Sequence, residues 1–256
     1  MRKIVMLATA AVLVAFVAVA YAQTQINTYA VKGSVTPTKP GSKKKPLAVR
    51  VNFNYQVGEK NGLQPSAIKR YKISLYGVRS VNGDKFPKCT ADMINGAGNS
   101  DTVCPSGSRV GTGTIDNYVY ADTDPSGKNG GFPCAKKLNL YNSGKGKAAL
   151  FIFGDPNQCG GVGALPAFPA SYVKGDGGGT ALQFDVPATV LHPIAGLSVA
   201  VRSVQSTIAQ RSVTKKGKKY GYYESTKCKG KRRPIVVTFT TEAGQTSKAA
   251  ASAKCG

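Results

Sequence analysis

Apolar and polar residues alternate along several segments of this chain, and this period-two pattern is the strongest constraint on its fold. Between residues 49 and 57 every second residue is apolar or aromatic, and each of the residues between them is polar or charged. The same alternation recurs at residues 71–75, 182–186, 197–201 and 235–239. Strict alternation is typical of a strand that buries one face. The sequence therefore predicts several half-buried strands.

The rest of the chain is consistent with a fold made only of strands. Residues 109–121 are rich in β-branched and aromatic types, and residues 148–153 form a short apolar run. The 30 glycines and 14 prolines fall largely between these segments, where they favour turns. Outside the N-terminus, no segment keeps a helical apolar period over helical length. We predict an all-β fold, either an antiparallel β-sandwich or an open barrel.

The chain carries an even number of cysteines, which predicts three disulfides if it is exported. Six cysteines allow fifteen pairings, and spacing alone does not select one rigorously. We favour sequential pairing because each pair then encloses one local loop or hairpin. Metal binding by these thiols is disfavoured, since there is no C-x-x-C motif and His192 is the single histidine. The predicted disulfide residues are Cys89, Cys104, Cys134, Cys159, Cys228 and Cys255.

The N-terminus has the three parts of an export signal. Arg2 and Lys3 precede an almost wholly apolar stretch at residues 4–20, and Ala20-Tyr21-Ala22 has the small-x-small pattern of a cleavage site. The alternative is an uncleaved anchor, but the apolar stretch is at the short limit for crossing a bilayer. We predict a signal peptide at 1–22, a basic Pro/Lys-rich lead-in at 23–47 and one all-β domain at 48–256. The mature protein is predicted to be secreted or held at the cell surface, without a membrane span.

Two stretches resemble a group of uncharacterised secreted proteins of actinobacteria. The first is Phe86-Pro87-x-Cys89 followed by C-P-x-x-S-x-V-G-x-G-T from Cys104 onward. The second is Lys227-Cys228-x-Gly230, a strand ending at Phe239, then Gly244 and a closing Lys254-Cys255. The resemblance extends over most of residues 34–255. It implies export, a β fold and the pairings Cys89–Cys104 and Cys228–Cys255, and it implies no activity.

The sequence assigns no catalytic residue. Serine and cysteine nucleophiles usually need a neighbouring base, and His192 stands alone before Pro193. Ser66 and Lys69 match S-x-x-K, but the companion S-D-N and K-T-G motifs are absent. We therefore predict that the protein is not an enzyme.

One segment resembles the beginning of a calcium loop. Asp122, Asp124 and Ser126 place oxygen atoms at the first, third and fifth positions, and Gly127 is the sixth residue. The twelfth position is Pro133, where a complete loop has a bidentate glutamate. The alternative is a polar turn in which the aspartates bind their own backbone. Calcium is the only cofactor that the sequence suggests.

The charge is strongly basic and concentrated near the C-terminus. Removal of residues 1–22 lowers the net charge from +23 to +21, and residues 211–233 hold ten basic residues and one acid. Interleaved tyrosines (Tyr220, Tyr222 and Tyr223) would suit single-stranded nucleic acid, but export removes that partner. We predict polyanion binding by Lys215, Lys216, Lys218, Lys219, Lys229, Lys231, Arg232 and Arg233.

These features predict a non-catalytic cell-envelope protein, structural or binding, that associates peripherally with anionic surface polymers. The first alternative is an extracellular carrier of an apolar, lipid-like ligand inside an open barrel or between two sheets. The second alternative is an extracellular hydrolase.

Overall fold

The structure is a computed structural model, and it describes residues 25–256. The predicted signal peptide lies outside the described residues. Strands dominate the described part, with two short helices, α1 (Ala91–Gly96) and α2 (Ala188–Leu191), and three 3₁₀ turns. Eleven strands form the main sheet: β1 (Asn27–Thr36), β3 (Arg50–Glu59), β4 (Ile68–Leu75), β6 (Arg109–Ala121), β7 (Phe132–Gly144), β8 (Lys147–Phe153), β9 (Phe168–Lys174), β10 (Thr180–Asp185), β11 (Leu197–Ile208), β15 (Arg232–Thr241) and β16 (Thr246–Lys254). Five shorter strands form two small sheets: β2 (Leu47–Ala48), β5 (Val78–Arg79), β12 (Ser212–Lys215), β13 (Lys218–Gly221) and β14 (Glu224–Ser225).

The main sheet curls into a nearly closed antiparallel barrel. Its strand order is β1-β3-β11-β6-β7-β8-β9-β10-β4-β15-β16. The two edge strands, β1 and β16, lie beside each other. Across this seam the ring of Tyr29 stacks on the ring of Phe239 with centroids 4.1 Å apart. The prediction of an all-β fold is confirmed, and the open-barrel form of that prediction describes the architecture.

The alternating segments are strands with one buried face, as predicted. On β3 the residues Val51, Phe53, Tyr55 and Val57 are buried, and their polar neighbours point outward. The strand β11 has a register shift between Val201 and Ser203. Such a bulge changes which residues face inward. Odd-numbered residues of β11 face the interior before the bulge, and even-numbered residues face it afterwards.

The predicted start of the domain at residue 48 is wrong. Strand β1 pairs with β3 along its whole length, and its side chains Val31 and Val35 are buried in the core. Gly33 interrupts the apolar alternation of this segment, because a Cβ there would lie 2.6 Å from Ile235 Cδ1. Only residues 37–46 of the predicted lead-in form a largely exposed loop.

The three disulfides have the predicted sequential pairing. Cys89–Cys104 encloses α1, Cys134–Cys159 links β7 to the turn after β8, and Cys228–Cys255 joins the chain before β15 to the residue after β16. Three such bonds indicate an oxidising compartment. None of the helices described between residues 25 and 256 has the length and apolar character needed to cross a membrane.

The two ends of the barrel differ. At one end β2, β14 and β5 form a three-stranded sheet, and the N–H of Val49 donates to the carbonyl of Tyr223 at 3.0 Å. The β12–β13 hairpin, the turn at 229–232 and the loop at 37–46 lie at this end, which we call the basic end. At the opposite end, called the α2 end, lie α2 and the loops at 154–167 and 192–196.

Candidate functional site

The barrel encloses an apolar cavity of about 150 Å³. Its wall is formed by inward-facing residues of β3, β4 and β6 to β11. Tyr223 contributes to the wall at the basic end, and Leu191, Pro193 and Ile194 contribute at the α2 end. Ligand sites are typically concave and mostly apolar with a few polar groups, so this cavity is the best candidate for a binding site.

The cavity exists because large and small side chains fill different halves of the barrel. Near the seam the rings of Tyr55, Tyr71 and Phe239 contact one another, and the Tyr55 and Tyr71 hydroxyls are 3.1 Å apart. Burial raises the pKa of Tyr71 well above its usual value. On the other side most inward residues of β11 are aliphatic, and Val199 and Val201, which face the cavity, are half-buried.

The wall is mostly apolar, but besides the hydroxyl groups of serine, threonine and tyrosine residues it includes one buried ammonium and one buried amide. Lys136 on β7 is only 5% exposed, and its ammonium donates to the carbonyl of Val162 and, at 3.0 Å, to that of Gly163. Burial lowers the pKa of Lys136. No carboxylate forms an ion pair with it among residues 25–256.

The buried amide is that of Asn117 on β6, which is also 5% exposed. Its Oδ1 atom is buried and has no hydrogen-bond partner among residues 25–256. Asn117 lies opposite Cys134, and Ile115 lies opposite Lys136, so the two polar residues are diagonal neighbours on the inner face. Neither residue was predicted from the sequence to have a role. Lys136 nevertheless alternates in step with Cys134, Leu138 and Leu140, and this pattern predicts that it faces inward.

His192 is less isolated than its sequence context indicates. At the α2 end its Nε2 lies 2.9 Å from Glu242 Oε2, and its Nδ1 lies 3.3 Å from Ser198 Oγ. The Ser198 hydroxyl donates instead to Asp122 Oδ1 at 2.6 Å. The proton of this hydroxyl is therefore directed away from His192, which does not match an activated serine nucleophile.

The S-x-x-K segment has no nucleophile–base geometry either. Ser66 is buried, and its backbone N–H donates to Asn27 Oδ1 at 2.8 Å. Lys69 is exposed, and its ammonium lies 3.4 Å from the carbonyl of Glu242. These contacts are those of a segment that enters strand β4.

The candidate calcium loop forms a compact turn. The Asp124 carboxylate accepts from the Ser126 hydroxyl at 2.5 Å and from the Asn129 N–H at 2.8 Å. The Ser126 hydrogen bond is the main reason that the pKa of Asp124 is lowered. Asp122 contacts Ser198 instead. No group of three or more potential metal-ligating side chains occurs in the described part of the chain. The contacts favour the polar turn, and the calcium site remains a prediction.

Seven of the eight predicted polyanion-binding residues are exposed at the basic end. Lys215, Lys216, Lys218 and Lys219 surround the tight turn of the β12–β13 hairpin, where Lys216 and Gly217 have φ of 51° and 70°. Lys229, Lys231 and Arg232 lie at the separate turn before β15. None of the seven forms an ion pair with a described residue.

The assignment of Arg233 to polyanion binding is wrong. Its side chain is completely buried, because it lies on the inner face of β15 together with Ile235, Val237 and Phe239. The guanidinium donates to protein acceptors and is not accessible from solvent. Tyr222 and Tyr223 are buried as well, so of the three tyrosines only the half-buried Tyr220 reaches the basic surface.

Comparison of the chain with protein-family models, with curated proteins and with solved structures gives no match. The fold and the site define a disulfide-linked, nearly closed β-barrel with an apolar interior and a basic end.

Proposed function

We propose that this is an extracellular binding protein that holds a small apolar ligand inside its barrel. The observation that supports the proposal is the apolar cavity of about 150 Å³. By the relation measured for large-to-small core substitutions, a cavity of this volume lowers stability by about 3–4 kcal/mol. A ligand that fills the space regains part of that packing. Secretion, which the signal sequence predicts, would bring the barrel into contact with ligands outside the cell.

The α2 end is the proposed access route. Val162, Val186 and Ile194 line the cavity there and are half-buried, so the apolar wall continues to the surface. The basic end is more firmly covered, because Tyr223 is buried under the sheet of β2, β14 and β5.

We expect small apolar probes to raise the melting temperature of the purified protein. A ligand at a hundred times its Kd stabilises the native state by about 2.7 kcal/mol, which corresponds to about 5–10 °C for a domain of this size. Benzene is a suitable first probe, since a cavity of about this volume accommodates it. Differential scanning calorimetry measures the shift, and native mass spectrometry of protein from its natural source identifies a resident ligand.

A filled cavity is the matched control. Val199→Phe places a ring in the cavity and should abolish the benzene shift, whereas Val103→Phe alters an exposed position outside the lining and should preserve it. An equal shift in both variants, or no shift in the native protein, would contradict the proposal.

A second proposed activity is association with anionic surface polymers through the basic end. The supporting observation is the set of seven exposed cations that have no acidic partner among residues 25–256. The Debye length is about 8 Å at physiological ionic strength, so a local cluster contributes more than scattered charge. The cavity's proposed access route lies at the other end, so both activities can operate together.

Replacing Lys215, Lys216, Lys218 and Lys219 by glutamine should weaken heparin binding. If all four contact the polyanion, the slope of log K against log salt should fall by about three to four units. Binding is measured by titration at several salt concentrations.

The control replaces four exposed lysines away from the hairpin by glutamine: Lys60, Lys69, Lys128 and Lys137. A smaller change is expected for this variant. Equal changes in the two variants would show that binding is diffuse and that the hairpin has no special role.

A further inference from the structure

We propose that the cavity binds a small apolar monocarboxylate, whose carboxyl group contacts the Lys136 ammonium and the Asn117 amide while its hydrocarbon part occupies the apolar space. This inference rests on the proposed function of the cavity and specifies its ligand class. The juxtaposition of a buried cation and a buried amide with an unpaired oxygen in a mostly apolar wall supports it.

The Lys136 ammonium is positioned for an anionic ligand. Two carbonyls, those of Val162 and Gly163, accept from it, and an ammonium has three donors. One donor therefore remains, and no described carboxylate neutralises the charge. A buried charge is unfavourable unless it is paired. A ligand carboxylate would provide both the acceptor and the opposite charge.

Asn117 independently indicates a polar ligand group. Buried polar atoms are normally hydrogen-bonded, and Asn117 Oδ1 is an exception at a position that lines the cavity. A side-chain amide offers both an acceptor and two donors. An ionised carboxylate only accepts, so it is the Asn117 Nδ2 group, brought round by rotation of the amide, that donates to the carboxylate held by Lys136, its diagonal neighbour on the inner face.

The shape and charge of the cavity limit the ligand further. A neutral hydrocarbon would leave Lys136 unneutralised and would offer the Asn117 amide no hydrogen-bond partner. A phosphate monoester would bring a second negative charge, and Lys136 is the single charged residue among the described residues that line the cavity. A cavity of about this volume accommodates a six-carbon ring, so the ligand should have about six to eight carbons. The positive net charge of the protein favours approach of an anion.

The test compares two ligands with the same hydrocarbon chain, hexanoate and 1-hexanol, by isothermal titration calorimetry at neutral pH. The native protein should bind hexanoate about 10- to 100-fold more tightly, because hydrogen bonds to charged groups are stronger than neutral ones. Lys136→Met keeps most of the length of the side chain without the charge, and it should remove this preference while hexanol binding remains. Lys137→Met is the matched control, since Lys137 is the exposed neighbour on β7, and it should behave as the native protein.

Asn117→Leu provides a second variant, and it should weaken hexanoate binding with little effect on hexanol. It also keeps the test decisive if Lys136→Met fails to fold. Equal affinity of the native protein for hexanoate and hexanol, or an unchanged preference in these variants, would overturn the carboxylate assignment and leave the apolar-ligand proposal intact. Failure of the native protein to bind benzene, hexanol and hexanoate would overturn both.

Discussion

Replacing Arg233 by alanine is expected to destabilise the protein by about 3–5 kcal/mol, the range for truncating a large, fully buried side chain. The side chain is fully buried without a carboxylate partner in the described part of the chain, and burial lowers its pKa. Its guanidinium instead donates to the carbonyls of Tyr76 at 2.7 Å and Lys227 at 3.3 Å, to Ser225 Oγ at 2.7 Å and to Cys255 Sγ at 3.1 Å. Truncation would leave these acceptors without their donor and create a cavity.

Chemical denaturation followed by tyrosine fluorescence or circular dichroism measures this loss. Arg232→Ala is the matched control, because Arg232 is the exposed preceding residue, and it should change stability by less than about 0.5 kcal/mol. Arg233→Met keeps most of the hydrocarbon volume, so it should fall between the two. Arg233→Ala and Arg232→Ala variants of equal stability would contradict the structural role of the guanidinium.

The strands could be predicted from the sequence because each buries one face. On β15 the alternation of Ile235, Val237 and Phe239 is enough to identify the strand, and all three are fully buried. Extended by two residues, the same alternation places Arg233 on the inner face. Charge led the sequence analysis to the opposite assignment, since arginine is seldom fully buried without a partner. The backbone carbonyls and side-chain acceptors that bind it come from segments distant in sequence, and no local pattern reveals them.

Strand β1 was missed for a related reason. Its apolar alternation is interrupted by Gly33, where a Cβ would lie 2.6 Å from Ile235 Cδ1 across the seam and 3.0 Å from the Asn52 carbonyl oxygen, so the small residue suits the close approach of β1. A residue that looks like a break in the pattern is thus part of the barrel closure. Closure is a tertiary property, so the sequence alone could not distinguish β1 from a flexible lead-in.

The cavity also depends on tertiary structure. Its volume is set by which side chains meet across the barrel, namely aromatic rings near the seam and aliphatic residues such as Val199 on the far side. The alternation in the sequence predicts that Lys136 faces inward, but it does not predict that no described acidic residue lies opposite it. For this reason a barrel interior could be offered only as an alternative function, and its polar residues could not be named.

Removal of the Cys228–Cys255 disulfide by a double alanine substitution is expected to cost about 3.5 kcal/mol from chain entropy, given its sequence separation of 27. The corresponding change at Cys89–Cys104, with a separation of 15, should cost about 3 kcal/mol by the same relation. The entropic difference between them is therefore small. We nevertheless expect the variant without Cys228–Cys255 to lose clearly more stability than the variant without Cys89–Cys104, because two further interactions depend on this bond.

The first interaction is the Arg233 contact with Cys255 Sγ, which disappears with the sulfur. The second is the attachment of β16, which is an edge strand. Its inward residues include the small, half-buried Ala249 and Ala251, so the strand packs weakly on its own. The disulfide holds the end of β16 next to the start of β15, and β16 in turn lies against β1 at the seam. Hydrogen exchange should show faster exchange of the β16 amides in this variant, with β6 and β7 still protected. Uniform protection of β16, together with equal losses for the two disulfides, would show that the seam is held by strand pairing alone.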